Sequence, residues 1–254
     1  MSSPRIEHIR SRENPQYKLW RRFLLRPDDP DCPWVPVEGR RQALELSRDR
    51  PPALLLISRE DLPGVAELTG RALRVVVLGE RLLERVSRVR SPQGIIAFFE
   101  KPVWTRDDLT PFVLFLDRLQ DPGNLGAILR TAAATGRFCL VAAPGTVSRF
   151  NDKVVRASAG YLFRVPFLEG VPLEHLARLE YRILVADPGA EADHFDEAFE
   201  PPLAVAVGAE GAGIDLPPSV PHRRLRIPMS SGVDSLNAAV AASLLMYEVV
   251  RRNR

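Results

Sequence analysis

The chain has 254 residues, 45% of them apolar, with a formal net charge of +3. It has no run of eighteen apolar residues, its first residues MSSPRIEHIRSR carry no apolar core, and its two cysteines (32 and 139) and four scattered histidines build neither a disulfide framework nor a metal cluster. These features argue against a membrane span, a secretory leader and a bound metal. The expectation is a reduced, cytoplasmic protein with room for two modest domains.

Charge is uneven along the chain. Arg5, Arg10, Arg12, Lys18, Arg21, Arg22 and Arg26 face only Glu7 and Glu13 within residues 1–26. Lysine occurs only at 18, 101 and 153, so nearly all positive charge is arginine, the side chain suited to bidentate phosphate contact and to stacking on bases. The cluster points to nucleic acid. Tyr17, Trp20, Phe23 and Leu24 predict an amphipathic helix over 16–26. Residues 28–36, DDPDCPWVP, read as a proline-rich acidic insertion. A second helix is predicted over 38–47, introduced by Glu38-Gly39. Strands are predicted at Ala53–Ile57, Ala72–Leu78 and, after the turn Ser91-Pro92-Gln93-Gly94, at Ile95–Phe99. This alternation makes residues 1–100 a small α/β domain, followed by a linker over 101–110.

A new α/β pattern begins at Pro111. Strands are predicted at Val113–Asp117, Phe138–Ala143, Arg164–Phe167, Ile183–Asp187, Leu203–Gly208 and Leu225–Pro228, with helices between most of them. Continuous apolar strands covered by helices indicate a mainly parallel sheet across 111–254. Residues 189–201, acidic and ending in two prolines, read as a surface segment.

Three strand ends carry the candidate chemistry. The first is LDRLQDPGNLGAILRTA, residues 116–132, a strand, a polar turn and a helix in which Asn124 is placed as an N-cap and Arg130 lies about two turns in. The second is VAVGAEGAGI, residues 205–214. Its spacing is G-x-x-G-x-G rather than G-x-G-x-x-G, and Pro217-Pro218 follow where a helix should start, which argues against a dinucleotide fingerprint. It leaves Glu210 between glycines that let backbone approach a ligand closely. The third is RIPMSSGVDSLNAAVAASLLMYEVV, residues 226–250, where a Ser/Gly turn precedes a helix with no charge until Glu248. Ser235 and Asn237 either cap that helix or serve a site. In an open parallel sheet, ligands bind beyond the carboxyl ends of the strands.

In this order, DPGNLGAILRTA, VGAEGAGI and RIPMSSGVDSLNAAVAASLLMYE resemble the three motifs of the SpoU (TrmH-like) RNA methyltransferases of the SPOUT class. Ser11-Arg12-Glu13-Asn14-Pro15, Val37-Glu38-Gly39-Arg40 and Ser91-Pro92-Gln93-Gly94-Ile95 are similar to landmarks of that family's L30e-like substrate-binding domain. The resemblance implies a parallel sheet with a deep trefoil knot, formed by the loops after Gly208 and around Met229 to Leu236. It implies S-adenosylmethionine as cofactor, contacted by Gly208, Ile227, Met229, Ser235 and Leu236. The implied reaction is methyl transfer to a ribose 2′-hydroxyl of RNA, with 23S rRNA as first substrate and tRNA as the alternative. A non-catalytic RNA-binding relative is the rival from another class.

By the same resemblance Arg130 is the central catalytic residue, with Asn124, Glu210, Ser235 and Asn237 orienting it and the ribose. An arginine is effectively never deprotonated, so its role is that of a cation, not a base. Arg10, Arg12, Asn14, Lys18, Arg21, Arg22 and Arg40 are the RNA-binding candidates. The family also implies a homodimer through the knotted domain and its C-terminal helix. Residues 238–250, apolar around most of their circumference, suit either full burial or a shared helix.

Overall fold

A computed structural model describes residues 6–59, 65–89, 91–209 and 213–254. The chain divides into two compact units. One is Met1–Pro102 with Phe150–Arg156, and the other is Val103–Arg149 with Ala157–Arg254. The segment Phe150–Arg156 therefore groups with the first unit, although it lies inside the range 111–254 expected for the second.

The first unit runs β1 (Ile6–His8), α1 (Pro15–Leu25), β2 (Trp34–Glu38), α2 (Arg40–Ser47), β3 (Leu54–Ile57), α3 (Val65–Arg71), β4 (Val75–Val77), α4 (Glu80–Glu84) and β5 (Ile95–Glu100). Its sheet has the order β1-β4-β3-β5-β2. β4 pairs in parallel with β1 and β3, while β5 pairs antiparallel with β3 and β2. Two strands escape the sequence reading. β1 is only three residues long, and β2 occupies part of the supposed acidic insertion. Pro36 is compatible with β2 because that strand lies at the sheet edge, where one face of the backbone needs no ladder partner. The helix expected from residue 38 starts at Arg40, since Glu38 completes β2 and Gly39 turns the chain with φ +102°. α1 buries Tyr17, Trp20, Phe23 and Leu24 in one core with Leu54, Leu56, Ile96 and Phe98.

The remaining elements are β6 (Phe112–Asp117), α5 (Pro122–Thr135), β7 (Phe138–Ala142), α6 (Asp152–Ala157), β8 (Phe167–Glu169), α7 (Leu173–Arg178), β9 (Arg182–Ala186), β10 (Leu203–Gly208), β11 (Arg223–Leu225) and α8 (Ala238–Arg252), all in the second unit except α6, of which only Ala157 belongs to it. The sheet order is β11-β9-β10-β6-β7-β8, and every pair is parallel. β6 and β7 are buried along their whole length, as expected for strands covered on both faces. Two predicted strands shift. A 3-10 turn takes Tyr161–Phe163 and the strand follows at β8, and the last strand is β11 rather than 225–228.

Residues 189–201 are not simply a surface segment. Ala190, His194, Glu197 and Phe199 are all buried. Burial of Glu197 is tolerated because Arg182 and Arg223, the latter at 2.7 Å, neutralise it, and both lie far away in sequence. Among the described residues no helix is long and apolar enough to cross a membrane.

α5 is held closely on two sides. It packs along α8, where Thr131 Oγ1 and Ser243 Oγ lie 2.9 Å apart. On its other side Gly126 meets Ala157, and a Cβ at position 126 would come within 2.9 Å of the Ala157 carbonyl carbon. The helix sits where it does because residue 126 has no side chain. Gly126→Val is expected to destabilise the protein by about 1–3 kcal/mol through overpacking. A denaturant midpoint equal to that of wild type would contradict this account.

Candidate active site

β6 and β10 run side by side at the centre of the sheet, with Gly208 opposite Asp117 at their carboxyl ends. Beyond the ends of β9 and β10 lies a cavity of about 440 Å³. Its lining includes Ala186, Asp187, Val207, Gly208, Ile227, Met229, Asp234, Ser235 and Leu236. The five residues expected at the cofactor, Gly208, Ile227, Met229, Ser235 and Leu236, thus meet in one cavity.

The shape of this cavity starts at Gly208. A Cβ there would run into the carbonyl group of Gly213 and lie 2.8 Å from Ile214 Cγ1. Just past β10, the Gly213 amide donates to the Ala209 carbonyl at 3.2 Å. Glu210, expected in the site, lies outside the described residues. The returning chain is fixed one step later, where the Asp215 amide donates to Asp117 Oδ2 at 2.8 Å. The same oxygen accepts from Arg118 Nε at 3.1 Å and Nη2 at 2.9 Å. Asp117 is only 4% exposed, and Arg118 adopts a left-handed φ of +51° beside it. Asp117 is a residue that sequence reasoning passed over. Its signal was available: a carboxylate closing a strand that is otherwise wholly apolar.

Asp187 was passed over too. It lines the cavity, accepts from the Gly189 amide at 2.8 Å and pairs with Arg224 Nη1 at 2.9 Å.

The N-termini of α5 and α8 face each other. Asn237 Nδ2 donates to Asn124 Oδ1 at 2.9 Å. Asn237 also caps α8, its Oδ1 accepting from the amides of Ala239 at 3.0 Å and Val240 at 3.3 Å. The cap expected for Asn237 is present, and its two polar atoms are divided, the oxygen going to the helix amides and the nitrogen to Asn124. Asn124 itself is not the N-cap of α5. Asp121 is, with its carboxylate accepting the Asn124 amide at 2.9 Å and Pro122 in the first turn. Arg130 lies further along α5, exposed, with no ion pair among the described residues. Ser235 is exposed at the cavity rim.

The RNA-binding candidates all belong to the first unit. Asn14 is the N-cap of α1, its Oδ1 accepting from Gln16 N at 2.9 Å and Tyr17 N at 3.3 Å. Lys18 and Arg12 both pair with Glu13, at 2.6 and 3.4 Å. Arg22 holds Asp29 and Asp31. Arg10, Arg21 and Arg40 are exposed and form no ion pair among the described residues.

A parallel α/β domain with a cavity past its strand ends, lined by Gly208, Gly213 and residues at the start of α8, has the arrangement in which open parallel sheets take small ligands. Residues 111–247 match the model of the SpoU rRNA Methylase family. The chain is 30% identical to rRNA methyltransferase 3, mitochondrial, of Homo sapiens, over 86% of this chain and 67% of that protein. It is 31% identical to the 23S rRNA (guanosine-2'-O-)-methyltransferase RlmB of Yersinia pestis, over 75% of this chain and 83% of that protein. The SpoU methyltransferase AviRb from Streptomyces viridochromogenes, crystallised with the cofactor AdoMet, superposes with a TM-score of 0.81 and 28% identity, covering 95% of this chain and 98% of its own. The chain belongs to the SpoU rRNA methylase family.

The Asp117 carboxylate is the anchor of the chain segment that follows Gly208. A hydrogen bond to a charged acceptor contributes about 1.5–3 kcal/mol. Asp117→Ala should therefore speed amide exchange at Asp215 by tenfold or more, while amides in α7 keep wild-type protection. Unchanged exchange at Asp215 would remove Asp117 from this role.

Proposed function

We propose that this chain transfers the methyl group of S-adenosylmethionine to a ribose 2′-hydroxyl of ribosomal RNA. The observation that carries the reading is the single cavity in which Gly208, Ile227, Met229, Ser235 and Leu236 meet, although they come from two separate turns. Its volume suits a small molecule, since such sites span roughly 300–1,000 Å³. Its residues fit the proposed cofactor. Main chain alone fills the space at Gly208, the apolar side chains of Ile227, Met229 and Leu236 suit a flat base, and Asp187, Asp234 and Ser235 offer oxygens to hydroxyl and ammonium groups. Bound there, S-adenosylmethionine supplies an electrophilic methyl group on a sulfonium sulfur.

The rest of the chemistry falls to the protein. A ribose hydroxyl is a weak nucleophile, and its developing negative charge has to be stabilised. Arg130 carries a permanent charge and cannot accept a proton, so its part is to stabilise the alkoxide or hold the adjoining phosphate. Asn124 and Asn237 fix each other's carboxamides across the two helix N-termini, and that order keeps α5, with Arg130, in register with the cavity. Glu210 and Ser235 orient Arg130 and the ribose in this reading.

Three further features belong to the same proposal. The first unit is the RNA-binding domain, similar to an L30e-like sandwich. The second unit carries a trefoil knot, a reading supported by the path of the chain from edge strand β11 back to α8, which packs on α5 and β10. An experimental trace without that threading would remove the knot. The buried, free thiols of Cys32 and Cys139 support a reducing, cytoplasmic setting.

The protein also works as a homodimer in this reading. α8 is not buried all round: Val240, Leu244 and Tyr247 form an exposed apolar stripe at helical spacing, and Phe195 is exposed as well. A groove of about 480 Å³ runs between Phe195 and Leu244, Tyr247 and Val250, and a second copy is its proposed occupant. At the polar end of the helix, Arg251 in the first place holds the Glu248 carboxyl down to about 2, with Arg252 assisting against the effect of burial. Tyr247→Asp puts a charge in the apolar stripe and should shift the sedimentation profile from dimer to monomer. A profile that stays dimeric would place the interface elsewhere.

Mapping of 2′-O-methyl riboses in cellular RNA tests the reaction. Loss of the gene should erase one rRNA methylation, and Arg130→Ala should not restore it, its rate falling about a hundredfold or more. The same variant should still bind S-adenosylmethionine in calorimetry. Wild-type turnover by Arg130→Ala would end the assigned role, and loss of a tRNA site instead would transfer the reading to tRNA.

A further inference from the structure

The arginines at the start of the chain are not equivalent in the fold. We propose that the RNA backbone is held in a basic cleft of the first unit formed by Arg12, Lys18, Arg21 and Arg85, with Arg85 a binding residue that the N-terminal charge cluster does not contain. The proposal rests on the reading of the first unit as the RNA-binding domain.

The cleft has a volume of about 480 Å³ and is lined by Arg12, Glu13, Tyr17, Lys18, Arg21 and Arg85. Tyr17 and Arg21 stand one turn apart on α1, and so share a face of the helix. Tyr17 is buried, and its hydroxyl donates to the Leu82 carbonyl at 3.1 Å. That bond ties α1 to α4, and Arg85 caps the C-terminal end of α4 between the buried residues Leu83 and Val86. The tyrosine is thus the strut between two elements that each present an arginine to the same cleft.

The charges are poorly matched within the protein. Lys18 and Arg12 share one carboxylate, Glu13. Arg21 and Arg85 are exposed and form no ion pair among the described residues. Four cations therefore face a single carboxylate, and the two that lack an ion pair are both guanidinium groups, whose fork matches a phosphate. An open cleft with such an excess suits a repeating phosphodiester rather than one small anion. Arg22, next to Arg21 in sequence, is different. It donates to both oxygens of Asp29, at 2.8 and 3.0 Å, and to Asp31 at 2.9 Å, so its charge holds the loop before β2. Being neighbours in sequence puts Arg21 and Arg22 on different faces of α1.

The test is the salt dependence of binding by the full-length protein, with a fluorescein-labelled oligouridylate as probe. On a single strand, each phosphate that the protein no longer neutralises lowers the slope of log K against log salt by about 0.7. Arg21→Ala and Arg85→Ala should each lower the slope by about that amount, and Arg85→Glu should lower affinity further. The control, Arg71→Ala, removes an arginine already paired with Glu67 and should bind as wild type does. Wild-type slopes for both Arg21→Ala and Arg85→Ala, or an equal fall for Arg71→Ala, would overturn the cleft and leave the RNA-binding domain standing. Salt-independent binding by the wild-type protein would overturn the domain reading itself.

Discussion

The carboxyl edge of the second sheet is organised around the absence of a side chain at residue 208. Because nothing projects there, the carbonyl of Gly213 can lie directly on the end of β10. The chain then comes back near enough for the Asp215 amide to reach the buried carboxylate of Asp117, on the neighbouring strand. Asp215 is held on the β6 side, and the cavity lies on the β9 side. A side chain at residue 208 would collide with Gly213 and Ile214. Arg118 is part of this arrangement: it bends into a left-handed conformation that favours glycine, and its guanidinium balances a charge that would otherwise be buried alone.

The helix ends show a division of labour between residues of the same chemical type. Asp121 and Asn124 are both good capping residues, and Asp121 takes the cap of α5. The Asn124 carboxamide is thereby available for Asn237, which in turn uses its own oxygen to cap α8 and its nitrogen to bridge. Two helix termini, each with amides in need of acceptors, are thus capped and connected by three side chains. The same division separates Arg21 from Arg22: Arg22 is committed to Asp29 and Asp31, and Arg21 is exposed with no ion pair among the described residues.

Much of this was legible in the sequence because it follows from local chemistry. An apolar strand, a glycine turn and a capped helix are short-range patterns, and Gly208, Ser235 and Asn237 stand out within them, whereas Leu236 is singled out only by the resemblance to the SpoU motifs. The parallel sheet was legible from strands apolar without alternation. What escaped depends on partners distant in the chain. Residues 190–199 look like surface until Arg182 and Arg223 are seen to neutralise Glu197. β2 contains a proline and follows three aspartates, and only its position at a sheet edge makes it a strand. Asp121 and Asn124 both stand at the start of α5, and nothing in the sequence tells which of them reaches the amides first. Asp117 is visible as a carboxylate closing an apolar strand, but its partner Asp215 lies 98 positions later, so what it holds is not.

The bond between Asn124 and Asn237 spans 113 positions. The loss of chain freedom on joining points so far apart has to be met by packing of α8 on α5 and β10, which cannot begin until α8 has been made. During synthesis the domain core from β6 to β10 can form while the site is still missing one wall. The cavity, which Ala238 and Ala241 of α8 help to line, is therefore complete only once that helix has docked.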